Sequence, residues 1–152
     1  MAREVADLRD IQRLRVHVIE PDRPLRDVLC AVLEEEEYMA LVCASPLELL
    51  RDPSADIGEV ALVDLDWDGQ PAVQETHRHS VRLLSERLPL VALASEPDSA
   101  AYARLAGPRV TIVPKPFEVD ALLEAVEHVG GGVRSSGPTR HRLAVGAPPR
   151  SR

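Results

Sequence analysis

Long apolar runs are missing from this chain: no uninterrupted stretch comes near the ~20 residues that a membrane-crossing helix needs. The first fifteen residues alternate charge with isolated apolar positions, a pattern unlike a signal peptide or an anchor. A cytoplasmic protein is therefore expected. Cysteine is scarce, and Cys30 and Cys43 sit inside apolar segments without any Cys-x-x-Cys spacing, so they read as small core residues rather than a disulfide or metal pair. Lysine is scarcer still, with Lys115 alone beside seventeen arginines. Of the histidines, His17, His77, His79, His128 and His141, only His77 and His79 lie close together. On a helix that spacing points the two rings to different sides, which argues against a metal site.

What is present fits one globular domain of ordinary size: 152 residues, 45% hydrophobic and 28% charged. The net charge of -7 hides an asymmetry, because the segment from Gly130 onward carries five arginines and no acid. All twenty-five acids thus belong to the preceding part, whose surface is a poor match for nucleic acid. Gly130 to Gly132, Ser135 to Pro138 and Pro148-Pro149 give the end the composition of a disordered tail. The expected organisation is an N-terminal extension over 1–13, a folded domain over 14–129 and a basic Gly/Pro/Arg tail over 130–152, with no second globular module and no DNA-binding domain.

Five strand-length runs are rich in Val, Leu and Ile: Val16 to Ile19, Met39 to Cys43, Val60 to Val63, Leu90 to Ala94 and Val110 to Val113. They read as parallel strands buried on both faces. Between them the spacing is helical. Leu25, Val28, Leu29, Val32 and Leu33 form one stripe. Ser45-Pro46-Leu47-Glu48 marks a helix start, with Ser45 accepting from the backbone three residues on. Further helices are expected over about Pro71 to Arg87, about Asp98 to Leu105 with Gly107 as its stop, and Glu118 to Val129 with Gly130 as C-terminal cap. Alternating strands and helices require a parallel sheet covered on both sides, an α/β doubly wound fold. Rossmann-like and flavodoxin-like strand orders both satisfy this pattern.

In either order the carboxyl ends of the strands face one way, and chemistry gathers there. The first strand ends in Glu20, followed by Pro21 and Asp22. The third ends in Asp64, followed by Leu65 and Asp66, and the fifth ends just before Lys115-Pro116. Converging carboxylates need a cation, and their hard oxygens suit Mg²⁺. Such a metal offsets the charge of an incoming phosphoryl group while one carboxylate attacks phosphorus, and a lysine holds a phosphate oxygen.

The stretches Val18-Ile19-Glu20-Pro21-Asp22-Arg23-Pro24-Leu25-Arg26, Val60-Ala61-Leu62-Val63-Asp64-Leu65-Asp66, Pro89-Leu90-Val91-Ala92-Leu93-Ala94-Ser95 and Val113-Pro114-Lys115-Pro116-Phe117 resemble the receiver domain of bacterial response regulators. The resemblance covers about residues 14 to 129. It implies a three-layer α/β/α, flavodoxin-like fold with a five-stranded parallel sheet in the order 2-1-3-4-5, and a stand-alone signalling module that is not an enzyme. It also implies a sensor histidine kinase or phosphotransfer protein as phosphoryl source, a downstream protein partner, and homodimerisation through the last strand and its flanking helices. Asp64 would be the phosphoacceptor and Lys115 the phosphate contact. Glu20, Asp64 and the backbone carbonyl of Asp66 would hold Mg²⁺, with Asp22 as a further candidate, and the Lys115-Pro116 peptide would be cis. The family pattern is broken in places. Pro21 stands where a second acid is usual, Ala94 where a switching hydroxyl is usual with Ser95 expected to face elsewhere, and Ile112 where an aromatic switch partner is usual. The loop after Asp64 reaches Gly69 early, and its Trp67 and Asp68 read either as a binding feature or as an anchoring indole with its neighbour.

Two other readings use the same residues. A pseudo-receiver would keep the fold and signal by protein contact alone. Asp64-Leu65-Asp66 also resembles the Asp-x-Asp motif of haloacid-dehalogenase-type phosphohydrolases, in which the first Asp attacks phosphorus and the second is general acid and base.

Overall fold

The five apolar runs become five parallel strands. In the computed structural model, which describes residues 13–53, 55, 59–105 and 109–131, these are β1 (Arg15–Ile19), β2 (Met39–Val42), β3 (Val60–Asp64), β4 (Leu90–Ala94) and β5 (Val110–Pro114). Their hydrogen-bonded order is β2-β1-β3-β4-β5. That is the flavodoxin-like arrangement. The chain steps outward from β1 to β2 and then returns past β1 to β3, so the switch point lies between β1 and β3. Ile19 pairs with Val63 there, which sets Glu20 beside Asp64 at the carboxyl edge. Ala94 pairs with Pro114, which brings Ser95 alongside Lys115.

Among the described residues four α-helices cover the sheet: α1 (Arg23–Glu35), α2 (Pro46–Leu50), α3 (Pro71–Arg87) and α4 (Val119–Gly130). The side chains divide between two cores by the period-two alternation of strands. Val16, Val18, Leu62, Val91 and Leu93 meet Leu29 and Leu33 of α1 and Leu122, Val126 and Val129 of α4. Ile19, Ala61, Val63, Leu90 and Ala92 meet Leu49 of α2 and Val81 and Leu84 of α3. The result is three layers, helices on each face of the sheet.

Several local expectations hold. Ser45 Oγ accepts from Glu48 N at 3.1 Å and caps α2. Cys30 and Cys43 are both free, packed in or against the two cores, and burial pushes each thiol upward. Others need correction. Burial on both faces is true of β3 and β4 throughout, whereas every residue of β2 and four of the five in β5 are half-buried or exposed, because edge strands are incompletely covered. Val28, assigned to the inner stripe of α1, is exposed. The fourth helix is a 3-10 helix over Ala100–Leu105, tightened by an i to i+3 bond from Tyr102 N to Ser99 O at 2.9 Å. Gly107, its expected stop, lies outside the described residues. Gly130 is the last helical residue rather than the cap, and Gly131 after it has an ordinary right-handed φ of -62°. The expected extension and tail lie outside the described residues except Arg13, Gly130 and Gly131. Among the described residues no helix is long and apolar enough to cross a membrane.

Candidate functional site

β3 delivers Asp64 to the edge almost wholly covered, at 4% exposure. Lys115, just past the end of β5 and before a cis peptide bond to Pro116, sends its Nζ to Asp64 Oδ2 at 2.8 Å. The other oxygen, Oδ1, accepts from Asp66 N at 2.8 Å. Glu20, at the end of β1, is 3% exposed. Its Oε1 accepts from Asp22 N at 3.0 Å, whereas its Oε2 is buried with no hydrogen-bond partner. Burial first, then the adjoining Asp64 carboxyl, raises the Glu20 carboxyl to about 8. Glu20, Asp64 and Lys115, remote in sequence, therefore meet at one rim.

Ser95 sits differently from expectation, with Asp66 as its partner. The contacts of Asp66 run through its N–H and its carboxylate: Oδ2 accepts from Lys115 Nζ at 3.1 Å, Ser95 Oγ at 2.7 Å and Ser95 N at 3.0 Å. Ser95 thus turns into the site. Strand alternation does not govern it, since β4 ends one residue earlier at the fully buried Ala94. Burial works against the Asp66 carboxylate, but the Ser95 and Lys115 donors hold its pKa below the usual value. Burial likewise opposes the Lys115 charge, and the two aspartates outweigh it and raise the ammonium pKa. Ile112 is half-buried against the core on the α3 side.

Two residues of the site escaped the reading of the sequence. His77, on the inner stripe of α3 with Ser80, Val81 and Leu84, is 4% exposed. Its Nε2–H donates to the backbone O of Asp64 at 2.9 Å, which leaves Nδ1 buried and without a partner. Burial holds this imidazole below its usual range. Its ring stacks on Trp67, with centroids 4.2 Å apart and planes 15° from parallel, so the indole anchors the loop after Asp64. The helical spacing of His77 with Val81 and Leu84 was the available signal. The second is Tyr102 on the 3-10 segment, half-buried, whose hydroxyl stands 3.5 Å from Leu65 O. Burial, then Asp66, raises its pKa.

Mg²⁺ binds through one or two carboxylates and keeps much of its water. The partnerless Glu20 Oε2 beside Asp64 supplies such a pair. Pro21 adds no ligand, and the Asp22 side chain is exposed. Among the described residues no group of three or more His, Cys, Asp or Glu is gathered as a metal cage. The site therefore fits a largely hydrated ion held by Glu20 and Asp64, and not a closed protein cage.

No family model matches the chain, and no curated protein matches it. Solved structures do. A response-regulator receiver protein from Pseudoalteromonas atlantica superposes with a TM-score of 0.60 at 19% identity, over 78% of this chain and 98% of its own. The receiver domain of a sensor histidine kinase from Pseudomonas aeruginosa, with magnesium coordinated in its active-site cleft, gives 0.60 at 17% identity over 78% and 98%. An adenylate cyclase from Rhodopirellula baltica gives 0.62 at 18% identity over 80% and 90%. With its five parallel strands, its strand order and its helices on both faces, this chain has the fold of the response-regulator receiver domain.

Proposed function

We propose that the domain accepts a phosphoryl group on Asp64 in two-component phosphorelay signalling and passes the signal on by protein contact. The observation that carries this reading is the Lys115 ammonium 2.8 Å from a carboxylate that is nearly sealed from solvent, with Glu20 against it. A buried carboxylate with a pre-positioned ammonium is suited to attack phosphorus, since the cation that steadies the nucleophile also meets the incoming oxygens. An Asp64 oxygen would bond to phosphorus as the P–N bond of a donor phosphohistidine breaks, and the departing imidazole keeps that electron pair and takes up a proton. Mg²⁺, when held by Glu20 and Asp64, offsets phosphoryl charge. Lys115 holds one phosphoryl oxygen, and His77 fixes the Asp64 backbone from below. The donor would be a sensor histidine kinase or a phosphotransfer protein in the cytoplasm, and no turnover of free phosphomonoesters is expected.

Phosphoramidate with Mg²⁺, followed by intact-mass measurement, tests this reading. A single phosphoryl adduct is expected on the wild type and none on Asp64→Asn. An adduct that survives Asp64→Asn, or a wild type that stays unmodified, would shift the assignment to the phosphorylation-independent adaptor, a reading favoured by Pro21 in place of an acid and by the Asp66 carboxylate already on Lys115.

A further inference from the structure

One oxygen in this site is better served than any other. Asp66 Oδ2 collects an ammonium from the end of β5, together with a hydroxyl and a backbone N–H from the residue after β4. These are the donor types that bind a phosphoryl oxygen: a cation, an O–H and an N–H. The three come from two residues, Ser95 and Lys115, on segments distant in sequence from Asp66 and from each other, and they converge beside the Asp64 carboxylate. Ala94 is apolar and fully buried, and the hydroxyl of the residue after it, Ser95, is already held by Asp66. Strand capping would account for one such bond. It does not account for the two donors of Ser95 closing on a carboxylate that Lys115 also touches.

We propose that Asp66 is a built-in counter-anion: it occupies the donors that a phosphoryl group on Asp64 would use, so the β4 and β5 ends rest in the arrangement phosphorylation would impose and phosphoryl uptake is slow. In this role Asp66 is a positioning residue acting through Lys115 and Ser95. An arriving phosphoryl group brings roughly -1.5 to -2 of charge to a rim where Asp66 is ionised and partly shielded from water, so it meets the repulsion of that carboxylate and competes with it for Lys115 and Ser95. The kinetic half of the inference rests on Asp64 being the acceptor. The structural half does not.

The chain has one lysine, so its side-chain Cε–H resonance in a lysine-labelled sample is assigned without ambiguity. Asp66→Asn keeps the shape and removes the charge, and Asp66→Ala removes both. Two measurements decide. First, the Lys115 Cε and Ser95 amide resonances of the unphosphorylated protein should move in both variants relative to the wild type, with the melting transition still cooperative. Second, phosphorylation by phosphoramidate should speed up about tenfold in Asp66→Asn, equivalent to ~1.4 kcal/mol of barrier, chiefly through a lower apparent KM for the donor. Unmoved Lys115 and Ser95 resonances overturn the proposal, and so does an unchanged rate in a protein that is phosphorylated. If neither the wild type nor the variants take up phosphate, the acceptor reading of Asp64 has failed, and the resonances alone uphold or overturn the counter-anion.

Discussion

A carboxyl that is 3% exposed and lies against a second carboxyl keeps its proton well past the ordinary range, and Glu20, raised from 4.5 to about 8, is in that position. The unfolded chain releases this proton near pH 4.5 and the folded one near 8, so the native state binds more protons between those values. The stabilisation is thus complete below about 4.5 and is lost as pH climbs through 8. Urea midpoints of the wild type should fall relative to those of Glu20→Gln between about pH 5 and pH 8.5, His77 titrating alike in both, and Glu20→Gln should be the more stable at the upper end by about 1–3 kcal/mol. Added Mg²⁺ at the upper pH should restore the wild type and leave Glu20→Gln unmoved. Parallel pH curves for the two proteins would show that Glu20 is not protonated in the fold. At this scale the sequence was legible where a charged residue ends a strand or directly follows one, as for Asp64 in the first case and Glu20 and Lys115 in the second. Ser95 was misread because strand alternation was extended one residue past the strand. His77 was passed over because its partner is a backbone carbonyl, which no side-chain pattern displays.

Among the elements, α3 could be read to the residue, since Pro71 suits the first turn and the run to Arg87 has no breaker. The end of α4 could not. A glycine after a helical run suggests a left-handed cap, but Gly130 remains helical and serves a contact: a Cβ there would stand 2.8 Å from Leu14 Cδ2. Leu14 is a core residue just before β1, so α4 gains close approach to the start of the sheet at the expense of helix propensity. Gly130→Ala should therefore give no net gain, the ~1 kcal/mol of propensity being offset by displacement of Leu14. In a Leu14→Ala background the same substitution should stabilise by about 0.5–1 kcal/mol, because the added methyl enters vacated space. A double-mutant cycle in urea checks this, and strict additivity would show that Leu14 yields freely to the methyl group. The stretch from about Asp98 to Leu105, expected as an α-helix, is too short for periodicity to separate that from the 3-10 segment over Ala100–Leu105.

Periodicity at the scale of the molecule established a parallel sheet covered on both faces without choosing between strand orders, because an order is a set of pairings between segments far apart in sequence. The residues at the strand ends made the choice, through the receiver resemblance. The same alternation that left the order open divides the apolar residues into two cores that meet only through the sheet. Each core closes one layer, and the chain touches both near Lys115, whose N–H donates to the backbone O of Ala94 from one cluster and which is followed by Phe117, packed against the other. Leu84, on α3, and Leu122, on α4, are both fully buried, on opposite faces. Leu84→Ala and Leu122→Ala should each lower stability by about 2–5 kcal/mol. Since the two cavities share no lining residues, the losses should add to within about 0.5 kcal/mol. Both single variants should still unfold in one step with an unchanged urea slope, because β1, β3, β4 and β5 each carry residues in or packed against both cores, and neither layer can melt without exposing the other. A shallower slope in either variant, or a second transition, would mean that one layer persists alone and that the carboxyl edge can lose its support from one side.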